Sequence, residues 1–574
     1  MPVEMMIPPA LYMIAGALIL PMLPKNLRAG IFILFPMIAL AVIWSLPDGY
    51  LIKTTFIGYE LIIIEVTRLT RIFGIIFSLI AVIGGVYSYH QKEVGQQSAA
   101  LLYAGGALGV TFAGDYFTLF IFWELMAVAS TYLVWARRNK ESEKAGMRYL
   151  LVHLFGGSLL LTGILIHVGH TGSLLITRLI PDGSVSSWLI LAGVALNTAI
   201  PPFHAWLADA YPKATVTGAV FLSAFTTKSA VLILIKIFSG WEVLIFLGVM
   251  MALYGVVYAV LANDIREILA YHIISQVGYM VAGVGIGTEM SINGTTAHAF
   301  SHILYKALLF MGAGVVLQTT GRSKLTELGG IAKKQSVTLW LYMIGAFSIS
   351  GFPLFNGFIS KSMVVAAAGD AHFETAMLLL LLASVGTFLH TGLKLPYFTW
   401  WNKSKEEILP TKPPINMHVG MAMAAFFCIL FGVYPSLLYN YLPFAVNYEP
   451  YTLYHLTESV QILTFTFIAF WLLRTKLAGE PTIAIDTDWF YRKPAKLIER
   501  IFVDGVTFIF DYAEKVSLKV VDYFVQFGRN PLAIFFKEER GTDYHADQHR
   551  ASTQLLTVLI VFSFVLFALV SLIM

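Results

Sequence analysis

Three protonatable side chains lie on one face of an apolar segment of the chain. His298, His302 and Lys306 occur at positions i, i+4 and i+8 of a run that is otherwise largely hydrophobic. Each residue of an α-helix turns by about 100°, so the three side chains fall within about 80° of one another. The spacing therefore predicts a line of groups along which a proton can move.

Three more ionisable residues interrupt hydrophobic segments. They are Glu124, Lys228 and Lys361. A charged side chain at the centre of a membrane helix costs about 2.5 kcal/mol or more by insertion scales, so such residues usually mark an ion or proton pathway. We predict that all three are functional, with an interfacial lysine as the alternative for Lys361. Because burial disfavours an isolated carboxylate, Glu124 is expected to have a buried cationic partner.

Other ionisable residues have simpler interpretations. Asp115 and Asp264 stand at the edges of apolar segments, where a carboxylate accepts hydrogen bonds from the first N–H groups of a helix. We predict that both are N-caps. His153 and His167 are interpreted as core or interfacial histidines, although His153 could face Glu124.

The composition is that of a membrane protein. The chain has 574 residues, of which 57% are hydrophobic and 13% are charged. Soluble domains carry about 25% charged residues, so we expect an integral membrane protein. The N-terminal Met-Pro-Val-Glu has no charged region typical of a signal peptide, so the first apolar segment is expected to be a retained span.

The composition also excludes several classes of function. The single cysteine, Cys428, provides neither a disulfide framework nor an iron–sulfur site, and we expect no cofactor and no metal site. Any redox chemistry would then belong to another subunit. No phosphate-binding glycine loop and no catalytic triad is recognisable. The net charge of +4 is attributed to basic loops on one side of a membrane rather than to nucleic-acid binding.

The hydrophobic pattern predicts an all-α polytopic fold with about sixteen transmembrane helices, since each crossing needs about 20 apolar residues. Basic residues accumulate in alternate loops between these segments. Because cytoplasmic loops are enriched in lysine and arginine, this alternation predicts that both termini are outside. The predicted spans are 10–24, 29–46, 72–90, 98–113, 115–136, 146–169, 187–203, 216–238, 241–262, 267–287, 296–318, 337–364, 375–396, 418–438, 460–474 and 552–574.

Two of these spans are interrupted by proline. The seventh runs into Pro201-Pro202, and the twelfth is broken between Gly351 and Gly357. The two lie five spans apart, which is an odd number, so units that repeat at this interval have opposite orientations. The pattern therefore predicts two inverted five-helix repeats with broken helices, which bind ions or water at mid-membrane.

The part of the chain after the fifteenth span has a different character. Apolar residues recur every three or four positions among charged ones between 494 and 528, which predicts a lateral amphipathic helix on the cytoplasmic side. A C-terminal anchor helix follows. The predicted divisions are N-terminal helices 1–97, a first half-unit 98–240, a second half-unit 241–400, additional helices 401–478, an amphipathic lateral segment 479–551 and an anchor 552–574.

Several motifs in this order resemble the antiporter-like membrane subunits of respiratory complex I, of multisubunit cation/proton (Mrp-type) antiporters and of membrane-bound hydrogenases. The resemblance covers roughly residues 70–400, and the tail is similar to that of the distal complex I member. The motifs are Phe122-Trp123-Glu124-Leu125, Pro202-Phe203-His204-Ala205-Trp206-Leu207, Thr226-Thr227-Lys228-Ser229-Ala230, Asn263-Asp264-Ile265-Arg266-Glu267-Ile268-Leu269-Ala270-Tyr271, Ser275-Gln276-Val277-Gly278-Tyr279, the His298/His302/Lys306 helix and Gly357-Phe358-Ile359-Ser360-Lys361.

The resemblance implies a role for each candidate residue. Glu124 would be the fifth-span glutamate and Lys228 the lysine that connects the half-units. The central axis would consist of His298, His302 and Lys306, and Lys361 would lead to the outer exit.

One position departs from the family pattern. The family usually has a lysine nine residues before the tryptophan of the loop motif, where this chain has Asn197 before Trp206. Because asparagine cannot change charge, a Glu–Lys switch in the first half-unit is in doubt. Glu124 then either stays protonated or pairs with Arg148, His153 or Lys228, and Asn197→Lys is expected to change coupling.

The resemblance and the buried groups together predict a proton-translocating subunit of a larger membrane complex, without a redox site of its own. Its partners would be other membrane subunits, including further antiporter-like ones, with protons or Na+ as the transported ion and lipid around it. We expect a bacterial or archaeal cell inner membrane. The alternatives are Na+/H+ exchange, ion-driven inorganic carbon uptake, and a non-conducting scaffold.

Overall fold

A computed structural model describes residues 7–404, 406–478, 480, 486–494, 497, 499–537 and 541–573. The chain forms two compact units, Met1–Asp488 and Trp489–Met574. Most of the described residues are helical. Twelve helices of the described part are long and apolar enough to cross a membrane, and three shorter apolar helices accompany them, Pro9–Met22, Val185–Thr198 and Ser336–Ser350. The prediction of an integral membrane protein agrees with this arrangement.

The described part of the first unit begins with ten helices and a β-hairpin. The helices are α1 Pro9–Ile19, α2 Lys25–Ser45, α3 Arg68–Tyr87, α4 Val94–Phe112, α5 Tyr116–Trp135, α6 Lys140–Thr171, α7 Val185–Thr198, α8 Ala205–Ala210, α9 Gly218–Leu222 and α10 Thr226–Phe238. Short 3₁₀ turns follow α1 at Leu20–Met22 and α8 at Tyr211–Lys213.

The described remainder of the first unit contains nine more helices and two π-helical stretches. They are α11 Val243–Leu261, α12 Ile265–Ile286, α13 Glu289–Thr320, α14 Ser336–Ser350, α15 Asn356–Asp370, α16 Glu374–Thr387, α17 Ile415–Val433, α18 Ser436–Tyr439 and α19 Leu453–Leu473. The π-helical turns Phe388–Lys394 and Tyr397–Trp401 continue α16, and a 3₁₀ turn covers Leu325–Glu327.

The second unit contains three helices among its described residues. They are α20 Trp489–Arg492, α21 Gly505–Arg529 and α22 Thr553–Ile573. A π-helical turn Glu499–Asp504 precedes α21, and 3₁₀ turns occur at Pro531–Ile534 and Ala546–Gln548. The lateral helix predicted for 494–528 corresponds mainly to α21, and residues 495, 496 and 498 lie outside the described part.

A β-hairpin corrects the prediction of an all-α fold. Strands β1 Leu51–Phe56 and β2 Tyr59–Glu65 pair antiparallel between the predicted spans 29–46 and 72–90. The two turn residues, Ile57 and Gly58, both have positive φ angles, which suits the right-handed twist of a tight hairpin. The β-branched residues of this stretch favour a pleated strand, and the charged residues among them hid that signal.

The core of the first unit lies around α12 and α13. In the apolar window of α12 every residue is buried, and in that of α13 94% are buried, so neither helix faces lipid to a significant extent. Helix α13 packs against α12, α14, α15, α17 and α3. A membrane helix that is covered on all sides by protein is the place where polar side chains can be kept away from lipid.

Three loops lie on one side of this core, which we call the basic side. The backbone of Asp264 pairs with that of Lys324, and the N–H of Ala332 donates to the carbonyl of Trp400 (3.1 Å). The start of α12, the end of α13 and the end of the π-helical stretch are therefore neighbours. The loops of this side are 262–264, 321–335 and 402–412, and the last two carry several lysine and arginine residues.

Candidate functional site

The central residues lie on α13. His298, His302 and Lys306 are wholly buried, and the ring centroids of the two histidines are 6.3 Å apart. His298 Nδ1 shares a hydrogen bond of 3.1 Å with Ser360 Oγ on α15. The ring of Tyr305 lies 5.2 Å from that of His302. The three groups thus form one continuous polar line in an otherwise apolar core.

Within the described residues, this line lacks protein partners at its centre. Lys306 Nζ and both ring nitrogens of His302 have no hydrogen bond to protein. A buried ammonium without an acceptor is strongly unfavourable. Lys306 must therefore either be neutral or be solvated by water.

Lys228 lies at a helix break that the sequence pattern did not reveal. Helix α9 ends at Leu222 and α10 begins at Thr226, and Lys228 Nζ donates to the carbonyl of Ser223 at 2.6 Å. The last carbonyls of a helix have no partner within the helix, so they attract a cation. The stretch Ser-Ala-Phe contains neither glycine nor proline, and for this reason it was predicted to be one continuous span.

Lys361 occupies the equivalent position at the predicted break after α14. Its Nζ donates to the carbonyl of Ile349 at 2.8 Å and to Ser384 Oγ at 3.3 Å. The ammonium also lies 5.3 Å from the centre of the Tyr279 ring. The lysine lines a cavity of about 90 Å³ together with Glu458 of α19, which is enough space for several water molecules.

Glu124 has no cationic partner among the described residues. Its Oε1 makes no hydrogen bond, and the side chain is partly exposed. Of the expected partners, Arg148 forms a bidentate ion pair with Asp209 (2.7 and 3.0 Å), and Lys228 donates to the Ser223 carbonyl. The expectation of a buried ion pair for Glu124 is therefore not met in the described part of the chain.

Four other polar residues singled out from the sequence are His153, Asn197 and the two predicted caps, Asp115 and Asp264. His153 Nδ1 bonds to the carbonyl of Tyr149 (2.8 Å), and Asn197 is buried with no partner for Oδ1 within the described structure. Asp115 accepts from the N–H of Thr118 (2.7 Å), and Asp264 accepts from those of Arg266 (2.8 Å) and Glu267 (3.2 Å). Both predicted N-caps are confirmed.

A buried carboxylate that sequence reasoning missed comes from the end of the first unit. Asp486 accepts hydrogen bonds from His204 Nε2 (3.0 Å), Tyr254 (2.6 Å) and Tyr271 (2.7 Å). Burial by itself raises the pKa of this carboxyl, but the hydrogen bonds outweigh burial and hold its pKa well below the usual range. In sequence Asp486 lies 282 residues after His204, and nothing local to it indicates this pairing.

A second missed group consists of His272, His390 and Lys394. All three are buried, on α12 and on the π-helical stretch that continues α16. π-Helical turns occur frequently at functional sites, and their side-chain spacing is not recognisable from hydrophobic periodicity. Among the described residues, no group of three or more histidine, cysteine, aspartate or glutamate side chains is arranged to hold a metal ion.

Sequence comparison places the chain among known membrane proteins. Residues 113–389 match the family described as NADH:quinone oxidoreductase/Mrp antiporter, transmembrane. An uncharacterized protein of Methanocaldococcus jannaschii is 32% identical over 358 residues, which cover 58% of this chain and 73% of that protein. One subunit of the Na(+)/H(+) antiporter of Alkalihalophilus pseudofirmus is 30% identical over 335 residues, which cover 55% of this chain and 66% of that protein.

Hydrogenase-4 component B of Escherichia coli is 26% identical over 422 residues, covering 65% of this chain and 63% of that component. Structural comparison agrees in fold. A chain of the Mrp complex from Dietzia sp. superposes with a TM-score of 0.69 at 21% identity, covering 80% of this chain and 98% of that one. The chain therefore belongs to the family of antiporter-like membrane subunits that NADH:quinone oxidoreductase, Mrp antiporters and membrane-bound hydrogenases share.

Proposed function

We propose that this chain translocates protons as one subunit of a multisubunit membrane complex. The observation that supports this most is the buried series of protonatable groups on and around α13. His302 lies within electrostatic reach of Lys228, His298, Lys306 and Lys361. A non-conducting scaffold does not require so many ionisable side chains in the centre of a membrane domain, where each of them is costly.

The proposed route joins these groups through internal water. Protons pass from the basic side to the His298/His302/Lys306 line and leave past Lys361. Lys228 adjoins one end of the line. Lys228 and Lys361 each donate a hydrogen bond to a backbone carbonyl at a helix break. This bond stabilises the ammonium form less strongly than an ion pair with a carboxylate would. A change of charge in a neighbouring subunit would shift the proton affinity of one lysine, and each lysine would affect the next.

The topology that fits this route is the finer architecture expected from the sequence. We propose sixteen crossings, with α14 and α15 counted as one broken span, and two inverted half-units at 98–240 and 241–400. The breaks at Ala199–His204 and after Ser350 support this arrangement. The domain limits 1–97, 401–478, 479–551 and 552–574 follow from the same division.

The proposed partners are other membrane subunits, including further antiporter-like ones. In the second unit, α21 and α22 have no buried residue among those described, although both contain many large apolar side chains. Surfaces of this kind are covered by lipid or by protein in a membrane assembly. We place the complex in a bacterial or archaeal cell membrane, with the electron donor, if there is one, on another subunit.

The experiment is a transport assay on the assembled complex in inverted membrane vesicles with a pH-sensitive dye. Lys306→Ala is expected to lower the rate of acidification by at least about tenfold, which corresponds to about 1.4 kcal/mol on the barrier. Lys333→Ala changes an exposed lysine of the basic side and serves as the matched control. Normal acidification by a complex that contains Lys306→Ala would refute the proposal.

The names of two relatives favour a second candidate function, Na+/H+ exchange. Two different subunits of the Na(+)/H(+) antiporter of Alkalihalophilus pseudofirmus match this chain, at 30% identity each. Exchange of this kind requires Na+ and no redox donor. Acidification or alkalinisation that depends on an imposed Na+ gradient alone would favour the exchanger, and transport that persists without Na+ would favour proton translocation.

A further inference from the structure

We propose that protons reach Lys306 from the basic side through His272, His390 and Lys394, an inlet inside the second half-unit. This inference rests on the proposed function, because it names the groups that supply the central line. It also differs from a route through the first half-unit, in which protons would enter near Glu124. Four structural observations and the electrostatic proximity of these groups support it.

The first observation is a pair of buried histidines without partners. The rings of His272 and His390 have their centroids 5.6 Å apart, and the side chains are 0% and 1% exposed. All four of their ring nitrogens lack a hydrogen bond to any described group. A buried histidine that only fills space usually satisfies at least one nitrogen, so two unsatisfied imidazoles side by side point to bound water between them.

The second observation is the position of Lys394 at the end of this pair. His390 and Lys394 are four residues apart on the same π-helical stretch, and Lys394 Nζ donates to the carbonyl of Val260 at 2.7 Å. Val260 belongs to the last turn of α11, and its side chain is 36% exposed. The ammonium group therefore lies just inside the surface of the bundle.

The third observation is the depth of these groups, counted from the basic side. Lys394 lies seven residues before Trp401, where the π-helical stretch ends, and His390 lies four residues further from that end. His272 is seven residues after Ile265, about 10 Å deep, and Lys306 is fourteen residues before Thr320, about 21 Å deep. The groups thus lie at successive depths between the basic side and the centre of α13.

Electrostatic proximity links the inner end of this series to the central line. The charges that act on His272 are those of Lys306, His390, Lys361 and Lys394. The charge of a proton on His272 therefore affects the proton affinity of both Lys394 at the inlet and Lys361 at the proposed exit. This coupling is what a stepwise inlet needs, because arrival of one proton must favour departure of another.

The fourth observation concerns the first half-unit, where the alternative inlet would begin. Asn197 cannot carry a proton, and Glu124 has no cationic partner in the described structure. Without a nearby cation, the negative charge that Glu124 would carry after releasing its proton is not stabilised. The second half-unit, in contrast, carries two imidazoles and an ammonium between the surface and Lys306.

The test is side-specific chemical rescue in oriented vesicles that contain the intact complex. His390→Ala removes the imidazole and leaves a space of similar size, and His390→Gln keeps a polar group that does not titrate. Both variants are expected to slow transport by at least about tenfold, about 1.4 kcal/mol on the barrier. Free imidazole on the basic side is expected to restore the rate of His390→Ala, and imidazole on the opposite side is not.

Two results would overturn the inlet. Unchanged transport in both variants would show that His390 carries no proton, and a loss that imidazole restores from neither side would assign the residue to packing. Lys306→Ala is measured in parallel and is expected to resist rescue from both sides. Normal transport by Lys306→Ala would contradict the proposed function itself, so failure of the inlet and failure of the function are distinguishable.

Discussion

At the scale of residues, the four lysines that are buried in the described structure fall into two groups. Lys228, Lys361 and Lys394 each donate to a carbonyl at a helix end or break, whereas Lys306 has no protein partner in the described part of the chain. A terminal carbonyl offers a partial negative charge, so it holds an ammonium less firmly than a carboxylate does. We therefore expect the two groups to differ in how firmly they hold a proton.

Six candidate residues could be identified from the sequence because each interrupts an apolar run. They are Glu124, Lys228, His298, His302, Lys306 and Lys361. The sequence did not indicate Asp486, His272, His390 or Lys394. Asp486 lies in a polar stretch, where an aspartate is common and indicates no particular role. Its three side-chain partners are more than 200 residues away in the sequence. The contacts of such a residue are a property of the folded chain, which periodicity does not encode.

Replacing Asp486 by asparagine tests whether its carboxylate fixes the end of the first unit. Three side-chain donors and the N–H of Thr487 point at this group. An amide supplies one acceptor and two donors, so Asp486→Asn is expected to destabilise the folded protein by about 1–3 kcal/mol. Thermal unfolding in detergent measures the change as a lower Tm. Asp370→Asn, which alters an exposed aspartate, is the control and is expected to leave Tm unchanged.

The same interaction predicts a pH dependence. Because the pKa of Asp486 is lowered in the folded protein, its contribution to stability is present above the ordinary range of aspartate, near about 4, and is lost as the pH falls through the lowered pKa. Acidification should therefore reduce the difference in Tm between the wild type and Asp486→Asn. A difference that persists unchanged at low pH would contradict this assignment.

At the scale of elements, the helix breaks determine where the site lies. Proline and glycine predicted the breaks at 201–202 and after Gly351, and these are present. The break between α9 and α10, the π-helical turns and the β-hairpin were not predicted. The helix break and the π-helical turns depend on tertiary contacts, and charged residues interrupt the short strand pattern of the hairpin.

The packing of α5 on α6 offers a test at this scale. A Cβ atom on Gly157 would overlap Glu124 Oε1, whereas one on Gly169 of the same helix would meet nothing within 4 Å. Gly157→Ala is expected to displace Glu124 and to destabilise the protein by about 1–3 kcal/mol through overpacking. Gly169→Ala is expected to be neutral or slightly stabilising. Thermal unfolding of the two variants in detergent measures the difference.

Transport assays on the two glycine variants show whether Glu124 takes part in proton movement. If it does, Gly157→Ala slows transport in correctly assembled complexes and Gly169→Ala does not. Equal transport rates for both variants would argue that Glu124 contributes only to packing.

At the scale of the whole molecule, each of the two units has a distinct character. The first buries its ionisable groups around α12 and α13, and the second exposes nearly all of its described apolar side chains. The amphipathic pattern between 494 and 528 differs from the long apolar runs before it, so the sequence indicated the different character of α21. The sequence does not indicate what covers the apolar stripe of α21.

The stripe itself can be tested by charge substitution. Phe524 lies on the apolar face of α21 together with Ile509, Val516 and Val520, and Asp522 lies on the opposite face. Phe524→Lys is expected to reduce the amount of neighbouring membrane subunits that co-purify in mild detergent by several-fold. Asp522→Lys introduces the same side chain on the polar face and is expected to retain them. Equal recovery of the subunits with both variants would contradict a docking role for this face.

The central claim is that the buried side chains form one wet route through the membrane domain. The most direct measurement is the position of ordered water in an experimental structure of the intact complex, at a resolution that shows individual molecules. The account predicts a chain of water molecules that joins Lys228, the His298/His302/Lys306 line and Lys361. Dry packing around Lys306, with no space for water between it and either of the other lysines, would contradict it.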